Sequence, residues 1–263
     1  MVGRRATAPG ACRCGPGGPM ICYVDLEHPE RGPSILTDAP EATQRKADFV
    51  TIAARFERLS GVPCLLQHFS RVDHETLAGL GVHTVILSGH STVIDDYDPA
   101  DLAPLLTLIR EWSRPLLGLC GGHQMIGLAL GVTPAPMGPL APGAVDPWPG
   151  VGPGMQKEWG PSRIRILGDD PLFAGLGGSA VVEQRHFWEL KTLPEGFVRL
   201  AGSDACPIQA MRHLGRPLYG VQFHPERYTE THPAGRAILG NFFRVAGLTT
   251  PTATEAALAG PAR

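Results

Sequence analysis

No apolar run in this chain approaches the roughly 20 residues that a helix needs to span a bilayer. None of signal-peptide length precedes Met20. Neither a membrane-spanning helix nor a secretory leader is expected, and the reducing cytoplasm is the expected compartment. Cysteine is sparse: six are scattered through 263 residues with no C-x-x-C pair, so the pattern fits neither a disulfide framework nor a zinc knuckle. Cys12 and Cys14 stand close together, but in a Gly/Pro/Arg-rich stretch that lacks zinc-ligand spacing; no metal is expected. Excess basic charge is also missing. With 23 basic and 25 acidic side chains the net charge is −2, which creates no field favouring nucleic acid. A G-x-x-x-x-G-K-[ST] loop is absent, so nothing points to ATP use or to any other cofactor.

What remains is an ordinary globular composition, 43% hydrophobic and 18% charged, at the upper end of single-domain length. Residues 1–19 carry few apolar anchors and many Gly and Pro, and read as a disordered extension. Met20 could itself be the initiator. A folded domain is expected over 20–248, and the Ala/Thr/Pro-rich 249–263 reads as a flexible tail.

Within the domain, short β-rich runs alternate with helical periodicity. Met20–Leu26, Val62–His68, His83–Ser88 and Pro115–Leu119 read as strands; Glu41–Leu59, Asp101–Trp112 and Gly122–Leu130 read as helices. That order predicts an α/β fold with a mainly parallel central sheet flanked by helices. Residues 134–162, rich in Pro and Gly, read as a long surface excursion. Shorter strands follow (Arg163–Leu167, Ala180–Glu183, Phe197–Ala201, Pro207–Arg212 and Leu218–Phe223), as expected of a small antiparallel extension. A final helix is expected over Pro233–Val245.

Two segments carry chemistry. In Pro-Leu-Leu-Gly-Leu-Cys-Gly-Gly-His-Gln (115–124), Cys120 falls where a buried strand meets a helix, with Gly118 and Gly122 permitting a tight elbow. A helix N-terminus favours a thiolate, and the amide of Gly121 can face a developing oxyanion. In Tyr219–Glu226, a strand ends in His224-Pro225-Glu226, which supplies a base for the thiol and an acid to orient that base. Alone, the first segment is equally served by a small buried cysteine, and the second by a solvated strand-end turn. Together they favour a nucleophilic triad of Cys120, His224 and Glu226.

The pair resembles the class I (triad) glutamine amidotransferases, whose G-x-C-x-G-x-Q and Q-F-H-P-E motifs stand here as Gly118–Gln124 and Gln222–Glu226. The resemblance covers about Met20 to Val245 and implies a flavodoxin-like fold. The Cys-Gly-Gly-His-Gln form is most similar to stand-alone glutaminase subunits, such as those of anthranilate synthase and carbamoyl-phosphate synthetase. It implies that Cys120 attacks the side-chain amide of L-glutamine to give a γ-glutamyl thioester, releasing ammonia. An oxyanion hole at Gly89, His90 and Gly121 is implied, with Gln124 and the backbone of Arg185, His186 and Phe187 positioning substrate. The ammonia acceptor is expected on a separate synthetase or synthase. Where family members commonly carry S-G-G-P or P-G-P-G, this chain has Ser88-Gly89-His90-Ser91. Histidine at a position of suspected positive φ would disturb the oxyanion hole or contact an altered substrate. Two alternatives stay open: a γ-glutamyl hydrolase or peptidase acting without a partner, and an inactive regulatory relative.

Overall fold

The structure, a computed structural model, describes residues 18–249. The expected extension and tail lie outside the described residues apart from Gly18, Pro19 and Thr249, as do Cys12 and Cys14. In chain order the first half runs β1 (Met20–Asp25), α1 (Pro40–Ser60), β2 (Cys64–His68), α2 (His74–Gly79), β3 (Val82–Leu87), α3 (Pro99–Glu111), β4 (Leu116–Leu119) and α4 (Gly121–Ala129). The second half runs β5 (Ala135–Pro136), β6 (Glu158–Ile166), β7 (Ser179–His186), β8 (Trp188–Glu189), β9 (Phe197–Gly202), β10 (Ala210–His213), β11 (Leu218–Val221) and α5 (Ala234–Val245).

Nine strands form one sheet in the order β2-β1-β3-β4-β11-β10-β9-β6-β7. The first five pair in parallel; the remaining four continue the same sheet antiparallel. A two-stranded sheet, β5 with β8, completes it. Strand order reverses between β1 and β3, where a crevice opens at the carboxyl ends of a doubly wound sheet.

Side-chain alternation explains the layering. In β1, Ile21 and Tyr23 enter an apolar core with Phe49, Ile52 and Phe56 of α1 and Phe242 and Phe243 of α5. Cys22 and Val24 face the opposite core, with Leu77 of α2, Leu105 and Leu108 of α3, and Met125 and Ile126 of α4. Strands covered on both faces read as continuous apolar runs, and all four residues of β4 are buried. Helix ends follow their chemistry: Pro40 opens α1 and Gly61 closes it in the left-handed region at φ 77°, while Asp98 caps α3 by accepting from the amide of Ala100.

One expectation fails, and one element was not foreseen. The excursion ends earlier than 162, because β6 begins at Glu158 rather than Arg163. Gly160-Pro161 resembles a breaker, yet residues 158–163 pair only with β7, and β9 reaches β6 only at Arg165 and Ile166. Proline is tolerated where one strand side has no neighbour. The unforeseen element is α2, a helix of six residues capped by Asp73, whose carboxylate accepts from the amide of Thr76 at 2.8 Å; it is too short to show a period.

The rest of the excursion is built around one side chain. Lys157 Nζ donates to both carboxylate oxygens of Asp146 at 2.9 and 3.0 Å and to the carbonyls of Trp148, Val151 and Gly152. Its side chain is only 1% exposed. A segment with little apolar content of its own is thereby ordered by satisfying its backbone oxygens with a buried ammonium.

Candidate active site

Cys120 follows β4 directly and has φ 50°, ψ −103°, the only positive φ of a non-glycine among the described residues. Such strain persists only where the surroundings enforce it. Here its amide donates to Val221 of β11 at 2.8 Å, and its carbonyl accepts from Gln124 of α4 at 3.1 Å. Close backbone approach leaves no room for side chains. A Cβ on Gly118 would lie 2.4 Å from the carbonyl oxygen of Gly122, and one on Gly122 would lie 2.6 Å from that of Leu87. The elbow is therefore legible as glycine because strand, turn and helix touch.

Parallel pairing of β4 with β11 carries the end of β11 to the same edge. Beyond it, the amide of His224 donates to Glu183 of β7 at 2.8 Å, and His224 Nδ1 lies 2.7 Å from Glu226 Oε1. The rest of the imidazole lies beside Cys120: a Cβ placed on Gly89 would meet His224 Cε1 at 3.0 Å, Cys120 Cβ at 3.5 Å and His224 Nε2 at 3.7 Å. The three predicted residues come together from two chain segments.

Burial alone would make His224 less basic, but the charges of Glu226 and of the Cys120 sulfur, and hydrogen bonds to both, raise its pKa from 6.5 to about 10. Burial would likewise raise Glu226, yet the imidazolium, its hydrogen bond and Arg227 hold that carboxylate below its ordinary range. At neutral pH the site therefore holds imidazolium beside carboxylate. Gln222, fully buried, points Nε2 at the Cys120 sulfur (3.6 Å) and accepts from Gln124 Nε2 at 3.2 Å.

The Ser88–Thr92 loop borders the sulfur. His90 does not have positive φ, and Gly89 does not either, so the loop needs glycine at 89 for space and tolerates histidine at 90. The backbone nitrogen of His90 would lie 2.9 Å from a Cβ on Gly121, and the His90 ring packs over that glycine. His90 Nδ1 is engaged by the carbonyl of Thr92 at 2.8 Å, and its ring meets Tyr97 edge-on. The main chain of the loop thus lies against Gly121.

The other expected positions divide. Gln124 Nε2 also donates to the carbonyl of Trp188 at 3.0 Å. Arg185 turns its exposed guanidinium to Glu183, while its carbonyl lies 3.9 Å from the Cys120 sulfur. His186 is buried, and its Nε2 lies 3.2 Å from a carboxylate oxygen of Glu158. Phe187 packs against Gly152 of the Lys157-ordered loop. A cavity of about 400 Å³ joins these positions, lined among others by Cys120, Arg185, Phe187, His224, Arg45 and Val151.

Sequence reading passed over Glu27, Asp25 and Arg45. Glu27, wholly buried, accepts from the amides of Ser91 and Thr92 at 2.7 and 3.1 Å and from their hydroxyls at 2.8 and 2.6 Å. Burial would raise its pKa; these bonds and Arg45 lower it overall. Arg45 of α1 pairs with Asp25 and donates to the carbonyl of Gly89 at 2.9 Å. Two acidic residues at and just past the end of a buried strand, Asp25 and Glu27, were the available signal.

Residues 56–246 match the family described as glutamine amidotransferase class-I. A subunit of the glutamine-hydrolyzing GMP synthase from Archaeoglobus fulgidus is 34% identical over 61% of this chain and 84% of its own length. The equivalent protein from Methanosarcina barkeri is 38% identical over 52% of this chain; there the chain spans 62% of the relative's length. A crystal structure from Thermoplasma acidophilum, assigned to the same GMP synthase component, superposes with a TM-score of 0.62 at 25% identity, covering 87% of this chain and 94% of that one.

Proposed function

We propose, because the chain belongs to the class-I glutamine amidotransferase family, that Cys120, His224 and Glu226 are the triad with which it hydrolyses the side-chain amide of glutamine. The observation that carries this reading is the meeting of the strained Cys120 with the His224–Glu226 pair. The Cys120 thiolate attacks the amide carbon. The negative oxygen is received by the main-chain amides of Gly121 and of the Gly89–His90 loop. His224 gives its Nε2 proton to the departing nitrogen, and ammonia leaves behind a γ-glutamyl thioester. Neutral His224 then takes a proton from water, which attacks the thioester to release glutamate and restore the thiolate. Glu226 keeps Nδ1 protonated and the ring in place throughout. Gln222 donates to the sulfur, and Gln124 holds Gln222 and the Trp188 carbonyl in register.

The acceptor of the ammonia belongs to a separate synthetase polypeptide, of the GMP-forming kind that the relatives' names indicate. A γ-glutamyl amide larger than glutamine is the second reading, favoured by a cavity that continues along α1 past Gln44 and Asp48. One experiment separates them. The purified chain is treated with a diazo-ketone analogue of glutamine, the adduct is located by peptide mapping, and ammonia release from glutamine is measured with and without the synthetase polypeptide. Labelling at Cys120 with turnover stimulated by that partner is expected. Unstimulated turnover of γ-glutamyl amines with little action on glutamine supports the second reading; a folded protein left unlabelled at Cys120 overturns both.

A further inference from the structure

Behind the Arg185–Phe187 wall lies a second group of reactive side chains, outside the triad. Glu158 opens β6 and His186 closes β7 directly opposite it in the antiparallel register. Cys206 occupies the turn between β9 and β10, where its amide donates to Ser203 Oγ at 2.9 Å and its carbonyl accepts from the amide of Ser203 at 2.9 Å. One ligand atom from each of Glu158, His186 and Cys206 lies within 4.8 Å of the other two. Cys206 is fully buried, and the His186 and Glu158 side chains are 2% and 10% exposed.

The hydrogen bonds around His186 decide what its ring offers. Its Nδ1 lies 3.1 Å from the carbonyl oxygen of Trp188. A carbonyl only accepts, so Nδ1 carries the proton, and the neutral ring presents a lone pair at Nε2. Nε2 lies 3.2 Å from Glu158 Oε2 yet makes no hydrogen bond to it or to any other protein atom. Glu189, also buried, leaves Oε2 without a partner while Lys191 holds its other oxygen. Acceptors gathered this closely in a buried space repel unless something positive joins them.

We propose that Glu158, His186 and Cys206 bind one divalent, zinc-like ion, with its fourth position open toward Glu189. Mixed sulfur, imidazole nitrogen and carboxylate oxygen donors suit zinc, whose filled d shell imposes no geometry of its own. The surroundings match those of a metal-bound histidine, since the second ring nitrogen is fixed by a backbone carbonyl. Glu158 is fixed in turn by Gln209, which Gln184 holds at 2.9 Å. Burial and the neighbouring carboxylates hold Cys206 as a thiol before the ion binds, so the ion must displace its proton to solvent. Charge then balances: two carboxylates and the resulting thiolate beside one ammonium leave two negative charges, which a divalent cation cancels. The ion would tie the start of β6, the end of β7 and the β9–β10 turn together, fixing the wall whose Arg185 carbonyl faces Cys120. No local spacing in the sequence announces it, because the three ligands come from three separate segments.

The test uses the full chain with Cys12, Cys14 and Cys120 changed to serine, so that Cys206 is examined without those thiols. The protein is stripped with a chelator, dialysed against zinc and assayed by elemental mass spectrometry; a parallel sample is loaded with cobalt and its absorption recorded. One equivalent of zinc is expected, with a near-ultraviolet sulfur-to-cobalt band. A melting temperature higher by about 5–10 °C is expected at a hundredfold excess of free zinc over Kd. Cys206→Ser should abolish the cobalt band, and both it and Glu158→Gln should reduce bound zinc to below about a tenth of an equivalent. Glu158→Gln preserves side-chain size, and circular dichroism confirms that each variant is folded. Zinc content unchanged by either substitution, or a folded parent that retains no zinc and shows no cobalt band, overturns the proposal and leaves an imidazolium–carboxylate pair. Neither outcome depends on the glutaminase reading.

Discussion

The imidazole of His224 and the carboxylate of Glu226 meet at 2.7 Å, Nδ1 donating to Oε1, with side chains only 10% and 3% exposed. A buried charge pair of this kind holds the histidine in its protonated form far into the alkaline range. In the proposed mechanism the Nε2 proton of this imidazolium is the one given to the leaving nitrogen, while Nδ1 keeps its own.

Glu226→Gln removes the strongest influence raising His224 and leaves burial, which lowers it. The expected result is a fall in glutaminase kcat of about two to four orders of magnitude. The alkaline limb of the kcat/KM profile should move down from about 10 toward or below the ordinary 6.5. An alkaline limb that stays in place would sink the assigned role. Stability should follow the same group. A histidine with raised folded-state pKa stabilises fully below its unfolded value and loses that contribution as pH rises from about 6.5 through about 10. Glu226, with a lowered folded-state pKa, behaves oppositely: its contribution is present above 4.5 and is lost as pH falls through the depressed value. Calorimetric melts of the wild type and Glu226→Gln between pH 6 and 10 check this, since the variant should show the flatter alkaline decline.

Gly118→Ala tests the elbow without touching a reacting group. The added methyl would meet the Gly122 carbonyl at 2.4 Å and the amide nitrogen of His123 at 2.7 Å, both backbone atoms that cannot swing aside. Overpacking of this kind costs about 1–3 kcal/mol. Urea unfolding should show that loss, and Cys120 labelling should slow even where the variant remains folded. Wild-type stability and labelling would show that the elbow has slack.

How much of this was visible in the chain depends on how local each cause is. The Cys120 elbow and the His224-Pro225-Glu226 turn were legible because each packs its chemistry into a few adjacent residues. The parallel half of the sheet was legible because burial on both faces makes β4 apolar throughout. The start of β6 was hidden, since Gly160-Pro161 is a breaker except on a strand with a free side, and strand neighbours are a tertiary property. Glu27 was hidden for a related reason: its acceptor role exists only once Ser91 and Thr92 arrive beside it. The inward turn of the His186 side chain to Glu158 was hidden as well. Period-two alternation gives a strand residue a face, but not what lies beneath that face.

Lys157→Met should release the 146–154 segment while leaving the sheet intact. Four groups now converge on Lys157 Nζ: the Asp146 carboxylate and the carbonyls of Trp148, Val151 and Gly152. Methionine fills the space and satisfies none of them. Chymotryptic cleavage near Trp148 should become fast in the variant with little change in melting temperature. Because Val151 and Phe187 line the cavity, KM for glutamine should rise several-fold with kcat less affected. Protection equal to the wild type would mean that the segment is held by other contacts.

Glu27→Gln asks whether the Gly89–Thr92 loop, proposed to supply an oxyanion donor, is positioned from behind. Glu27 touches no reacting atom; it acts through the Ser91 and Thr92 bonds, which fix the loop that follows Gly89. Glutamine keeps one accepting oxygen and turns an NH2 group toward donors, so about half of these bonds are lost and the loop amide drifts. Losing one oxyanion donor outright costs about a hundred- to a thousandfold in kcat; a displaced donor should cost about ten- to a hundredfold, with KM little changed. Stability should fall by about 1–3 kcal/mol for the unpaired buried donors. The acid side adds an independent check. Because the folded-state pKa of Glu27 is depressed, its stabilisation is present above 4.5 and lost as pH falls through the folded value. The variant should therefore lose less stability than the wild type on acidification. A purely structural Glu27 would give the stability changes without the selective loss of kcat, and that split is what the paired kinetic and unfolding measurements resolve.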